Sequence, residues 1–307
     1  MDVPVAERDI PPQATAFPPS APARSGARRF PLGVAPGAVW LAALYVIPLL
    51  IVLAASFATP DMVGRPVWGF TPDNYLLVFD PLYLPIVVRT FLYAFAATVL
   101  CLVIGFPTAY TIARFGGRFK TLLMLAVLVP WLTDYLVRIY SWVQILGNEG
   151  VINGFLKDQG WVDSRGLSLI GNSYSLLLGL VYNFLPIMII ALYSSIERMD
   201  KRLLEAARDL YSSGPATLVH VILPACKPGI LAGSLLVFLL CLGDFATAQF
   251  LGGSQYMLGN LIRDQFATAG SLPVGAALTV TLLLILLIVG LTIRAITRRR
   301  SPAKVRP

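Results

Sequence analysis

The sequence predicts an all-α integral membrane protein with six transmembrane helices and both termini on the cytoplasmic side. Three observations carry that prediction. Of 307 residues, 57% are apolar and only 13% charged, with a mean hydropathy of +0.74, whereas a soluble domain carries about 25% charge. Six apolar runs, near 38–58, 87–110, 122–146, 176–195, 230–251 and 274–296, are each long enough to cross ~30 Å of hydrocarbon as about 20 helical residues. The 24 basic residues are divided so unevenly among the segments between these runs that they set the orientation.

Residues 1–36 are rich in Pro, Ala, Ser and Arg without an apolar period, the composition of a disordered cytoplasmic tail. The run at 38–58 is long enough to remain as a span, so the N-terminus is not read as a cleaved signal. Each run must be helical, because backbone facing lipid has to satisfy its own hydrogen bonds and no barrel-like alternation is present. Pro48, Pro107, Pro130 and Pro186 fall in or at the ends of the runs and read as kinks. With the N-terminus inside, the cytoplasmic segments hold Arg8, Arg24, Arg28 and Arg29, then Arg114, Arg118 and Lys120, then Arg198, Lys201, Arg202, Arg208 and Lys227. The C-terminal end, including the basic tail 297–307, adds Arg294, Arg298, Arg299, Arg300, Lys304 and Arg306. The outer loops hold only Arg65, Lys157, Arg165 and Arg263. The net charge of +8 is therefore a topology signal. Its division among four membrane-bordering segments argues against a nucleic-acid partner.

The inner loop 196–229 reads as two short helices. Leu203, Leu204, Ala207, Leu210 and Tyr211 form one apolar stripe, while Lys201, Arg202, Glu205, Arg208 and Asp209 stay polar. Ser212, Ser213, Gly214 and Pro215 end that helix and start another over 216–223, which stops at Pro224. Taken alone, such a loop could lie on the bilayer surface. Glu205-Ala206-Ala207-Arg208-Asp209-Leu210, followed by Val221-Ile222-Leu223-Pro224, resembles the EAA loop in the permease subunits of binding-protein-dependent ABC importers. Tyr211 stands where that pattern carries Gly, and Gly214 follows three residues later. The resemblance runs from about 88 to 296 and is closer to the spermidine/putrescine branch, B-type subunit. It is carried by Leu136-Val137-Arg138-Ile139-Tyr140-Ser141-Trp142, Gly150-Val151-Ile152-Asn153, Val181-Tyr182-Asn183-Phe184-Leu185-Pro186, Gly243-Asp244-Phe245 and Leu251-Gly252-Gly253.

What the resemblance implies is a type I importer permease fold in a bacterial inner membrane, with a core over 87–296. The 196–229 loop would be the coupling element, its residues from Glu205 to Tyr211 with Gly214, Leu223 and Pro224 seated in a cytoplasmic ATPase and Glu205 facing basic groups there. The implied partners are a second permease, two ATPase subunits and an external substrate-binding protein. The implied cargo is a polyamine, the alternative being another small solute such as an amino acid, sugar or metal ion.

Charges inside the runs mark the candidate path. Asp134, Arg138 and Ser141 are spaced to share one helical face, and a charge at membrane depth is costly unless paired or facing water. Asp134 and Asp244, with Arg138, Ser141, Tyr182 and Asn183, are the candidate pathway residues. Two roles stand open: either the acids offer negative charge to a cation, or Arg138 neutralises Asp134 and Asp244 ties helices together.

Other classes fit less well. Three scattered cysteines and one histidine leave no disulfide framework or zinc site, and no metal or cofactor is expected. An intramembrane serine protease would need His220 beside Ser173, and the topology puts them on opposite faces. No phosphate-cradling Gly-x-x-x-x-Gly-Lys-Ser/Thr run is present, so the chain is not itself the ATPase. A six-helix channel leaves the cytoplasmic loop unexplained, and no internal repeat suggests a secondary transporter.

Overall fold

The computed structural model describes residues 35–163, 165–200, 202, 214–267 and 270–299. By its contacts the chain divides into Met1–Pro48 and Leu49–Pro307. The described part of the first unit is the opening of helix α1 (Ala35–Ser56), apolar all round and exposed at Val39, Trp40, Leu44 and Tyr45, as a helix in lipid is.

The second unit begins with the end of α1. Helices leave their last carbonyls unsatisfied, and here Asn74 Nδ2 donates to Ser56 O at 3.0 Å and Ala58 O at 2.7 Å. Asn74 belongs to α2 (Asp73–Leu76), which follows a hairpin of β1 (Thr59–Pro60) and β2 (Pro66–Val67). Phe57 stacks on Phe70 at 4.8 Å over this turn.

The core is a packet of three long helices, α3 (Leu84–Phe115), α7 (Ser173–Glu197) and α10 (Lys227–Leu242). Small residues of α3, including Ala94, Ala97, Cys101 and Ala109, are buried against Leu180, Met188 and Leu192 of α7. Close approach is the main source of association where lipid is as apolar as the side chains. Gly229 of α10 shows how close it is, since a Cβ there would stand 2.3 Å from Ser195 Cβ.

Two expected spans are broken. The run 122–146 divides into α4 (Lys120–Trp131) and α5 (Tyr135–Leu146), with the segments Gly117–Trp131 and Tyr135–Asp158 bent by 83°. The cause is local: Thr133 Oγ1 donates to Pro130 O at 2.7 Å, and Asp134 accepts from Leu136 N at 2.9 Å and Val137 N at 3.3 Å, capping a new helix. α6 (Val151–Asp158) follows. The run 230–251 likewise ends its helix at Leu242 and resumes as α11 (Ala246–Leu251), because Asp244 Oδ1 accepts from Thr247 N at 3.0 Å. The remaining described helices are α8 (Gly214–Thr217), a π-helical turn (Leu218–Ile222), α9 (Leu223–Ala225), α12 (Leu258–Ala267) and α13 (Leu272–Arg299).

Four described helices are long and apolar enough to span, or up to six if each bent pair is one span. The second bent pair is Leu218–Ala225 with Lys227–Leu242, turned by 65°. The helix expected over 216–223 falls in the α8 to α9 run, whereas the stripe over 203–211 lies outside the described residues, as do most of the 1–36 tail and residues 300–307 of the basic end.

Candidate functional site

The break before α5 turns its face towards the middle of α7. Asn172 caps α7 through a capping box with Ser175, and Ser175 Oγ and Gly171 N both donate to Leu251 O, at 2.7 and 3.0 Å. Gly171 and Gly253 both have positive φ, and a Cβ on Gly253 would lie 2.6 Å from Gly171 Cα. The start of α7 and the end of α11 are thereby held together.

Between α4, α5 and α7 lie two cavities of about 250 and 270 Å³, both walled by Pro130, Arg138 and Tyr182. Ser141 and Trp142 line the second, and the Trp142 and Tyr182 rings meet edge to face at 5.3 Å. Arg138 is 8% exposed, with its guanidinium 5.7 Å from the Tyr135 ring centroid. Its Nε is buried with no hydrogen-bond partner. Among the described residues the ion pairs are Lys120 with Glu197, Lys157 with Glu149 and Arg263 with Asp264, so none involves Arg138.

Behind the cavity wall sits a polar knot. Asp244, 6% exposed, accepts from Tyr135 Oη at 2.7 Å and Thr247 Oγ1 at 2.6 Å on Oδ2, besides its capping contact on Oδ1. Tyr135 Oη also lies 2.9 Å from Thr247 Oγ1. Asn183 Nδ2 donates to Thr247 Oγ1 at 3.4 Å, and its Oδ1 is buried without a partner.

Of the six candidate pathway residues, Arg138, Ser141 and Tyr182 meet at one cavity. Asn183 and Asp244 join instead through Tyr135 and Thr247, two residues the sequence reading missed. Asp244 stands just before the N-cap Phe245, three residues ahead of the Thr247 amide it accepts from, an acidic residue at a helix start that the sequence displayed. The common face expected for Asp134, Arg138 and Ser141 is corrected: Asp134 is exposed, precedes the helix and spends its carboxylate on two backbone amides. Asp134 therefore does not neutralise Arg138. Asp244 accepts three hydrogen bonds that join α5 to the start of α11, and it lines neither of the two cavities.

At the cytoplasmic end, Gly214 opens α8 and Pro224 is exposed in α9, with Leu223 half-buried. Gly214, Leu218, Ile222 and Leu223 wall an apolar cavity of about 630 Å³ against Phe106 and Tyr110 of α3. Glu205, Ala206, Ala207, Arg208, Asp209, Leu210 and Tyr211 lie outside the described residues. Cys226, at the bend into α10, is buried, and that burial pushes its thiol pKa up. Ser173 Oγ pairs with Tyr93 Oη at 2.8 Å and His220 Nδ1 with Ala216 O at 3.0 Å, so these two do not form a nucleophile and base.

Against known proteins, residues 101–302 match the family described as binding-protein-dependent transport system inner membrane component. The spermidine/putrescine transport system permease protein PotB of Haemophilus influenzae is 40% identical over 252 residues, 81% of this chain and 88% of that protein. PotB of Escherichia coli is 38% identical over 248 residues, 80% of this chain and 90% of that one. A bacterial ABC transporter that imports the acidic polysaccharide alginate shares the fold at 14% identity, with a TM-score of 0.63 over 88% of this chain and 95% of its own.

Proposed function

The chain belongs to the inner-membrane components of binding-protein-dependent transport systems, and on that premise we propose that it is the permease subunit through which an ATP-driven importer passes a polyamine. The observation that carries the substrate class is the 40% and 38% identity to two spermidine/putrescine permeases over about four-fifths of the chain. The protein is a multi-pass component of the bacterial inner membrane, and ATP hydrolysis belongs to a separate subunit.

In this reading a second, related permease completes the pore, two ATPase subunits bind the inner face and a binding protein delivers cargo from outside. Residues Glu205 to Tyr211, with Gly214, Leu223 and Pro224, form the handle that the ATPases move. From Gly214 onward the described residues offer a mechanical route. The α8 to α9 run joins α10 through the bend at Cys226, α10 packs on α3 and α7, and Asp244 beyond its end holds Tyr135 at the head of α5. Movement of the handle would therefore shift the wall that carries Arg138, Ser141 and Tyr182. Nucleotide favours one of two arrangements by binding it better, which is all a ligand can do to such an equilibrium.

The test is uptake of labelled spermidine and putrescine by cells with the whole system, with and without this chain, in competition with unlabelled amino acids, sugars and metal ions. Chain-dependent uptake blocked by polyamines alone is expected. Chain-dependent uptake blocked by one of the other solutes and indifferent to polyamines would overturn the substrate.

A further inference from the structure

The most conspicuous feature left without a task is Arg138. Its residue is 8% exposed, its Nε is buried and unpaired, and it contributes to both cavities between α4, α5 and α7. The nearby carboxylates cannot serve it. Asp134 caps α5 with its side chain, and Asp244 is taken by Tyr135 and Thr247. A guanidinium without a counter-ion in a low-dielectric site is strongly unfavourable.

α4 has 12 residues from Lys120 and so rises about 18 Å, more than half the thickness of a ~30 Å hydrocarbon core. The chain then bends by 83° into α5 and α6, which keeps Arg138, one turn along α5, close to the level of the end of α4. The cavity also opens at the chain's surface, since Val137, 58% exposed, and the exposed Ser141 stand in its wall beside Arg138. Lipid tails cannot satisfy a charge at that opening; a second polypeptide can.

We propose that Arg138 forms an ion pair with a carboxylate side chain of the second permease subunit, and that cargo must displace it. The inference rests on the polyamine-permease reading given above. It assigns this chain a cation inside a path for cations, with the matching negative charge on the other half of the pore. With no cargo present, Arg138 occupies that carboxylate and keeps the halves together. An arriving ammonium group competes for the same carboxylate, releases Arg138 and lets the halves part. The substrate's charge then does mechanical work only in the presence of substrate, which suits a gate.

The experiment uses the complete transporter in proteoliposomes, with its own binding protein and ATPase. Wild-type uptake of labelled spermidine tests the substrate reading by itself, and its absence would defeat that reading whatever Arg138 does. Given wild-type uptake, R138K should keep it within about threefold, R138M should raise ATP hydrolysis without cargo several-fold, and R138E should lose uptake at least tenfold. In the R138E background, each Asp and Glu in the membrane region of the second permease is changed to Lys in turn. One such reversal should restore uptake at least tenfold; if R138E fails to assemble, restored co-purification of the two permeases is scored instead. No restoring reversal, or R138M matching wild type in uptake and cargo-free hydrolysis, would overturn the ion pair.

Discussion

Replacing Tyr135 with Phe removes one oxygen from the knot that joins α5 to the segment after α10. The hydroxyl donates to Asp244 at 2.7 Å and lies 2.9 Å from Thr247 Oγ1. Both hydroxyls give their one hydrogen to Asp244, and a hydrogen bond to a charged group contributes about 1.5–3 kcal/mol, so Tyr135→Phe should cost about 2 kcal/mol. Asp244→Ala leaves two hydroxyls and the Thr247 amide without their acceptor and should cost more, about 4–5 kcal/mol. Asp244→Asn keeps one carbonyl for the Thr247 amide and offers N–H donors to hydroxyl oxygens that can accept, so about 1 kcal/mol is expected. The assay pairs the thermal midpoint of the solubilised complex with the half-saturation concentration for uptake. Tyr135→Phe should lower the midpoint on the order of 5–10 °C, Asp244→Asn by only a few degrees, with half-saturation unchanged in both. If Asp244→Asn instead raised half-saturation tenfold at an unaltered midpoint, Asp244 would be a cargo contact and the knot argument would fail. Strictly additive effects in the Tyr135→Phe, Asp244→Asn double variant would also refute it, since the two groups share one bond.

Three further outcomes are expected. Glu205→Arg should abolish uptake while the protein remains in the membrane, checked by transport and by immunoblot of membrane fractions; normal uptake would end the coupling proposal. Gly253→Ala should cost about 2 kcal/mol or more, because φ is +56° and the new Cβ meets the Gly171 backbone at 2.6 Å, and the loss should appear as a lower midpoint with α7 cap residues exchanging amide hydrogens faster. Cys101, Cys226 and Cys241 are all buried, so maleimide should label none of them in native membranes at pH 8 and all three after denaturation. For Cys226 the raised pKa works in the same direction, because less thiolate is present at a given pH.

Much of this was legible from residues 1 to 307 without coordinates, and the exceptions share a cause. The long spans now placed at Leu84–Phe115, Ser173–Glu197 and Leu272–Arg299 were readable because hydrophobic length accumulates locally along the chain. The break at Leu132 to Asp134 was not, although Pro130 and Asp134 were both in view. A membrane helix can absorb a proline as a kink, and only the capping geometry of Asp134 turns the kink into a new start. The expected pairing of Asp134 with Arg138 failed for the same reason, as i and i+4 are neighbours only when both lie in one helix.

By itself, then, the sequence determined that this is a multi-pass membrane protein with both termini on the cytoplasmic side, and which family it resembles. Those properties depend on sums of hydrophobicity and charge and on one contiguous motif. Only the tertiary structure decided which polar residues share a cavity and which are tied off. Asp244 lies 109 residues from the Tyr135 hydroxyl that holds it, and Ser175 lies 76 residues from the Leu251 carbonyl it meets. In a bilayer a buried polar group must find a partner wherever the fold brings one, and the chain's linear order contains no record of which distant partner arrives, nor that no acceptor meets Arg138 Nε.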